Sequence, residues 1–226
     1  MPGEGRKPKR PRGRPRFTEP SPEYVRRHDE IIETAAQVFH VSGYEAGSLD
    51  DVAAALDLRK PSLYYYVDSK AELLYLIFDR AISLALERLD ELATIDDPAE
   101  RLAAFIAHQV RIVAEERSLF SVFFENRPRL DDDYEVQIKT KERRYFRHFV
   151  AAVEHASGAG VIPKIDARFG AQAILGMSSW VYKWFDSDHD DATQVAGDFV
   201  ELILRTRVQV DTVSFAKVLY PEARQS

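Results

Sequence analysis

The 226-residue chain contains no cysteine. Disulfides, thiolate metal sites and cysteine nucleophiles are therefore excluded, and a reducing cytoplasm suits the chain. No apolar run approaches the ~18 residues of a membrane span. The basic N-terminus is not followed by an apolar segment, so it does not read as a secretory signal. No stretch alternates apolar and polar residues as a half-buried strand would. The six histidines lack His-Glu-x-x-His spacing. Gly158 and Gly160 lack the third glycine of a dinucleotide loop, because Pro163 stands in its place. The acidic run from Asp186 to Asp191 reads as a solvated interhelical loop in preference to a cation site. No Ser/His/Asp arrangement stands out, and neither an enzyme nor a cofactor or metal is expected.

What is present is an apolar share of 45% and a charged share of 30%, enough for a sizeable core. The charge is divided unevenly. Residues 1–16 carry seven Lys and Arg against Glu4, a net of +6, so the remainder of a chain of net −6 carries −12. A basic arm on an acidic body points to an anionic partner for the arm. Residues 1–22 hold Pro, Gly and charge with almost nothing apolar, and are expected to be disordered when free.

From about Glu23 the pattern is helical throughout. Ile31, Ala35 and Phe39, with Ile32 and Ala36 beside them, form one apolar stripe, and Gly43 marks its end. Ser48-Leu49-Asp50-Asp51 reads as an N-cap with an acid three residues on. Leu49, Val52, Ala53 and Leu56 form the inner face of a short second helix. Pro61 is tolerable only in a first helical turn, so a third helix begins near Arg59 or Lys60. Long helices follow over about 70–92, from Asp97-Pro98, over 131–155, over 166–185 and over 192–207, with a short Phe-rich one over 118–126. The fold class is all-α, with about nine to ten helices.

Two short helices joined by about four residues, with small apolar residues between them, form a helix-turn-helix. Leu63 faces inward, while Arg59, Lys60, Ser62, Tyr65 and Tyr66 project outward from the second helix. Such a helix enters the major groove N-terminus first. Residues 31–74, from Ala35-Phe39 through Gly43-Tyr44 to Leu63-Tyr64 and Ser69-Lys70, resemble the DNA-binding domain of TetR-family transcriptional regulators. The resemblance implies an all-α homodimer with a separate ligand pocket. It implies an arm (1–22), a DNA-binding domain (23–69) and a ligand-binding and dimerisation domain (70–226).

By position, the resemblance also implies roles. Ser48 caps the second helix and touches a phosphate. Arg59, Lys60, Pro61 and Ser62 occupy the base-reading end. Tyr64 and Tyr65 place hydroxyls on phosphates, with Tyr66 near the groove edge, and Lys70 contacts a phosphate. For Tyr64, hydrophobic packing is the competing reading. Phosphate contacts position the protein and base contacts specify the site. Three positions depart from the family pattern: Asp57 stands at a common Gly, Val67 at a common Phe, and Arg59 at a common Ser or Thr. Asp57 is expected to be tucked against the turn, because its carboxylate would repel phosphate.

Pro11-Arg12-Gly13-Arg14-Pro15 resembles the core of an AT-hook. Arg12 and Arg14 would enter a narrow A·T minor groove, with Gly13 allowing close approach. Plain phosphate attraction by the arm is the alternative.

The C-terminal half is dense in large rings. Phe105, Phe120, Phe124, Tyr145, Phe149 and Trp180, with His108 and Arg127, are the candidate lining of an apolar ligand site. The stretches from Phe123 to Leu130 and from Gly176 to Phe185 are similar to TetR-family regulators of fatty-acid and sterol-side-chain breakdown, which implies an acyl-CoA effector. Arg127, Arg129, Arg143 or Arg144 would then meet CoA phosphates, although helix-surface ion pairs are the plainer reading of each. The resemblance places Phe169, Ala173, Met177, Trp184, Phe199 and Ile203 at a homodimer interface, where Gly170, Ala173 and Gly176 allow close helix approach. The expected activity is a cytoplasmic, ligand-released repressor on a pseudo-palindromic DNA operator, away from membranes. An architectural A·T-binding protein led by the arm, and a regulator of efflux or other metabolism answering a non-CoA lipophile, are the alternatives.

Overall fold

The structure, a computed structural model, describes residues 21–126, 130 and 132–205. Their regular structure is entirely helical: α1 (Pro22–Ser42), α2 (Leu49–Ala55), α3 (Lys60–Leu63), α4 (Lys70–Leu86), α5 (Leu89–Leu92), α6 (Pro98–Glu115), α7 (Arg117–Glu125), α8 (Asp132–Gly158), α9 (Ala167–Ser179), α10 (Val181–Trp184) and α11 (Ala192–Leu204). Arg12, Arg14, Arg127 and Arg129 lie outside the described residues.

Local chemistry accounts for the helix starts. The Ser21 hydroxyl accepts from Tyr24 N at 3.2 Å, and Pro22 opens α1 where its missing N–H costs nothing. The expected stripe of Ile31, Ile32, Ala35, Ala36 and Phe39 is buried. Gly43 ends the helix at φ 77, a conformation that suits a residue without Cβ. Asp97 accepts from Ala99 N and Glu100 N ahead of α6.

Two expected long helices are each divided. The 70–92 segment breaks at Glu87–Arg88 without Gly or Pro. His108 Nε2 donates to Ala85 O at 3.0 Å, occupying the carbonyl that a continuing helix would offer to the N–H four residues on. The 166–185 segment breaks at Trp180. There the Ser178 hydroxyl donates back to Ile174 O at 2.7 Å, and Trp180 N reaches Met177 O, the tighter i→i+3 pattern.

α6 is the axis of the bundle, packed against α4, α5, α7, α8, α9, α10 and α11. Every residue from Leu102 to Val110 on it is buried. α1 packs on α2, α4 and α7. One continuous cluster of buried side chains runs from Ile31 in α1 to Leu204 in α11, so no solvent gap in the core accompanies the expected division at residue 70.

Candidate functional site

α2 and α3 meet through a tight turn. Asp57 N bonds Ala54 O at 3.2 Å and Leu58 N bonds Ala53 O at 2.8 Å. Asp57 adopts φ 52, a left-handed conformation that short polar side chains tolerate better than most. This geometry gives a reason for glycine at such a position. The Asp57 side chain is exposed, contrary to the expected tuck: its backbone turns the corner and its carboxylate points to solvent.

α3 is anchored by Leu63 and, just beyond it, Val67, both fully buried. Around them Arg59, Lys60, Pro61 and Ser62 are exposed, as are Tyr64 (44%) and Tyr65 (58%). Arg59 precedes the helix without a capping hydrogen bond. The expected base-reading residues are thus all open to solvent. At 44% exposure Tyr64 is not part of the buried core.

Three expected DNA-contacting groups already have protein partners. The Lys60 ammonium bridges both Asp50 carboxylate oxygens, at 2.8 and 2.9 Å, and that hydrogen bond raises its pKa. The Ser48 hydroxyl donates to Asp51 Oδ2 at 2.6 Å and accepts from Asp51 N, while Ser48 N donates to the same carboxylate. These bonds hold the Asp51 carboxyl below its usual range. The cap is present, and a hydroxyl-to-phosphate bond would require Ser48 to leave Asp51. Lys70 Nζ donates to Glu45 O at 3.1 Å and sits 4.4 Å from the Tyr44 ring centroid. An ammonium has three protons, so this arrangement leaves others for a phosphate. Partial burial lowers the Lys70 pKa.

Tyr66, expected near the groove edge, also has a protein partner. It is half-buried, its ring stacked on Tyr24 of α1 at 5.0 Å. Tyr24 and Asp50 were not among the expected site residues. Tyr24 stands seven positions before Ile31, so it extends the α1 stripe. The Asp50–Lys60 pair spans two helices and has no local signature.

The candidate ligand residues fall into two ring clusters. Phe105, Tyr145 and Phe149 pack together, with Phe149 5.3 Å from Phe105 and 5.1 Å from Tyr145. The Tyr145 hydroxyl donates to Gln109 Oε1, and Gln109 Nε2 donates to Ser179 Oγ at 3.3 Å. Burial raises the Tyr145 pKa well above its ordinary value. Gln109 is a buried polar residue that no local sequence signal marks. Phe120 and Phe124 form the second cluster, 5.9 Å apart, with Tyr182 5.3 Å from Phe124. His108 is buried against Ala85 O and lines a separate cleft of about 260 Å³ between α4 and α6. A wider cleft of about 650 Å³ separates α1 from the α6–α7 junction and the 186–191 loop. In that loop Asp186 accepts from Asp188 N and His189 Nδ1, a closed turn.

Trp180 is a correction. It is 58% exposed, with its ring 6.2 Å from that of Tyr182 in the second cluster. As the residue between α9 and α10 it shares the outer side with Phe169 (61%), Met177 and Trp184, which are exposed with Ala173. Phe199 and Ile203 are partly buried against the chain's own core, whereas Leu202 beside them is 68% exposed. Gly170 is also reassigned. A Cβ there would lie 2.8 Å from Val153 Cγ1, so its small size serves the α8–α9 contact within this chain. At Gly176 and Gly197 a Cβ would meet nothing within 4 Å. Arg144 pairs with Asp90 at 2.5 Å, the plainer of its two readings.

Comparison with known proteins adds to this geometry. Residues 31–75 match the family described as bacterial regulatory proteins, tetR family, and residues 95–206 match the tetracyclin repressor-like C-terminal domain. Over 64 residues the chain is 33% identical to the biofilm operon icaADBC HTH-type negative transcriptional regulator IcaR of Staphylococcus aureus (strain Newman), covering 28% of this chain and 32% of that one. Among solved structures, AibR in complex with isovaleryl coenzyme A and operator DNA is 30% identical with a TM-score of 0.71, covering 79% of this chain and 98% of AibR. PfmR, a TetR family transcriptional regulator from Thermus thermophilus, is 30% identical with a TM-score of 0.72, covering 78% of this chain and 95% of PfmR. No helix among the described residues is long and apolar enough to cross a membrane. The chain therefore belongs to the TetR family of DNA-binding transcriptional regulators, which are not enzymes.

Proposed function

We propose that the chain is a cytoplasmic one-component repressor that binds a pseudo-palindromic operator as a homodimer and leaves it when a hydrophobic effector binds. The observation that carries this reading is the exposed face of α3. It offers Arg59, Ser62, Tyr64 and Tyr65 outward from a helix whose inward residue, Leu63, is fully buried. Arg59 and, once freed from Asp50, Lys60 are suited to guanine O6/N7, at roughly 1–3 kcal/mol of discrimination each if bidentate. Ser48, Tyr64, Tyr65 and Lys70 are assigned to phosphates. The arm, through Arg12 and Arg14, adds affinity at A·T flanks. If the arm led binding instead, deleting residues 1–16 would abolish it; here the deletion leaves weakened, still sequence-specific binding.

Dimerisation is assigned to the outer side of α9–α11, through Phe169, Ala173, Met177, Trp180, Trp184 and Leu202, whose exposed rings and chains favour burial against a second copy. The effector is assigned to the α6–α8 region and is proposed to be an acyl-CoA thioester. AibR, with isovaleryl coenzyme A bound, supports that class. The rings of Phe105, Tyr145 and Phe149 are packed on one another, so an acyl chain must part them, and Gln109 and Tyr145 would offer its carbonyl a polar partner. Release requires only that the effector bind the DNA-incompetent state better, by a few kcal/mol. An acyl-CoA panel in an operator-release assay tests the effector. Release by a short- or branched-chain acyl-CoA at micromolar concentration is expected; a panel without an effector removes the assignment.

A further inference from the structure

The family match begins at residue 31, yet α1 begins at Pro22, so two turns of this helix precede the matched region. Those turns are built into the DNA-facing end. Tyr24 stacks on Tyr66 with centroids 5.0 Å apart and planes at 30°, and meets Tyr65 edge-on at 5.9 Å. Tyr65 and Tyr66 pack edge-on against each other at 5.1 Å, and His28, one turn along α1, stacks behind Tyr24 at 6.0 Å. Four rings from two distant segments thus form one cluster.

α3 needs such support. It is four residues long and lacks a side-chain cap, and a helix that short has little stability of its own. Leu63 and Val67 hold its inner side, but Tyr64 to Tyr66 leave the helix as a turn. Tyr66 is half-buried against Tyr24, whereas Tyr65 stays exposed. Partial burial, with Tyr65 and Tyr66 alongside, raises the Tyr24 pKa, consistent with its position inside the cluster.

We infer that Tyr24 is a positioning residue for DNA binding: its ring fixes Tyr66, and through Tyr66 and Tyr65 it sets the C-terminal end of the recognition helix on the operator. The contact is aromatic and does not need the hydroxyl. The clamp also ties α3 to the first turn of α1, which Ser21 caps. The inference rests on the recognition-helix reading above.

The test uses the full chain and a duplex enriched from a randomised library by the wild-type protein. Tyr24→Ala is expected to weaken binding of that duplex about tenfold, the order of a lost aromatic cluster. Tyr24→Phe is expected to bind as wild type. Because the rings act together, the Tyr24→Ala and Tyr65→Ala effects should be less than additive when combined. Circular dichroism and dimer state should match wild type. Arg59→Ala in the same assay separates the two readings. If Arg59→Ala binds normally, the recognition-helix assignment fails. If Arg59→Ala weakens binding while Tyr24→Ala does not, or if Tyr24→Ala and Tyr65→Ala add fully, the clamp is overturned. A Tyr24→Phe variant as weak as Tyr24→Ala would overturn it too, by moving the role to the hydroxyl.

Discussion

Replacing Gly170 by alanine tests the seat on which α9 rests. Gly170 lies one turn into α9, buried against α8. An added Cβ would sit 2.8 Å from Val153 Cγ1, well inside van der Waals contact. Val153 is itself fully buried and β-branched within a helix, so its χ1 has essentially one well and the methyl cannot swing aside cheaply. Overpacking of this kind costs about 1–3 kcal/mol. Against it stands the helix-propensity gain of Gly→Ala, about 1 kcal/mol. The net expectation is a loss of up to about 2 kcal/mol, lowering Tm by as much as several degrees at about 2–4 °C per kcal/mol for a chain of this size. Thermal melts at one fixed protein concentration read it, since dimerisation makes Tm concentration-dependent. Val153→Ala should itself destabilise, by emptying a core site, but in the Val153→Ala background Gly170→Ala should become neutral or stabilising. A single Gly170→Ala variant that melts above wild type, or the absence of coupling between the two sites, would refute the reasoning.

Asp50→Asn should free the Lys60 ammonium, strengthening DNA binding and steepening the dependence of log K on log salt by about 0.9, the slope of one further phosphate contact; an unchanged slope in fluorescence anisotropy titrations would count against Lys60 reaching DNA. Phe169→Glu combined with Trp180→Glu should convert a dimer into a monomer by sedimentation velocity while helix content is retained, because both side chains are more than half exposed in the single chain; a surviving dimer would send the interface elsewhere. Burial holds His108 neutral by lowering its pKa from 6.5. The unfolded chain therefore binds the extra proton first, so the contribution is whole above about pH 6.5 and is lost as pH falls toward the folded value. Urea unfolding should show stability falling between pH 7 and pH 5, and His108→Gln should flatten that slope, which is about 1.4 kcal/mol per pH unit per proton; equal slopes would refute the assignment.

The legible parts of this fold are those written in local spacing. The stripe of Ile31, Ala35 and Phe39, the caps at Ser48 and Asp97 and the placement of Pro61 each depend on neighbours within four residues. The breaks at Glu87–Arg88 and Trp180 lack a glycine or proline. The first is set by His108, 23 residues from its acceptor, which no local pattern can announce. At the site, the outward residues of α3 were legible because only Leu63 among them suits a core. The commitments of Lys60 to Asp50 and of Tyr66 to Tyr24 were not, because each joins separate helices. Trp180 was ambiguous, since an unbroken helix would put one ring near both the pocket and the outer stripe. Gly170 and Gly176 read alike in sequence, and only the nearness of Val153 separates them.

The continuous core bears on how this chain can be re-engineered. His40 on α1 bonds Ser121 on α7 at 2.8 Å, and the buried cluster passes from Ile31 through α4 into α6 and α11 without interruption. A chimera that grafts residues 21–69 onto the C-terminal half of another regulator would expose the underside of α1 to unmatched side chains. Such transplants should express poorly unless the acceptor faces on α4 and α7 travel with the graft. Altering operator choice by substitutions on the exposed face of α3 leaves that seam intact, and is the more promising route.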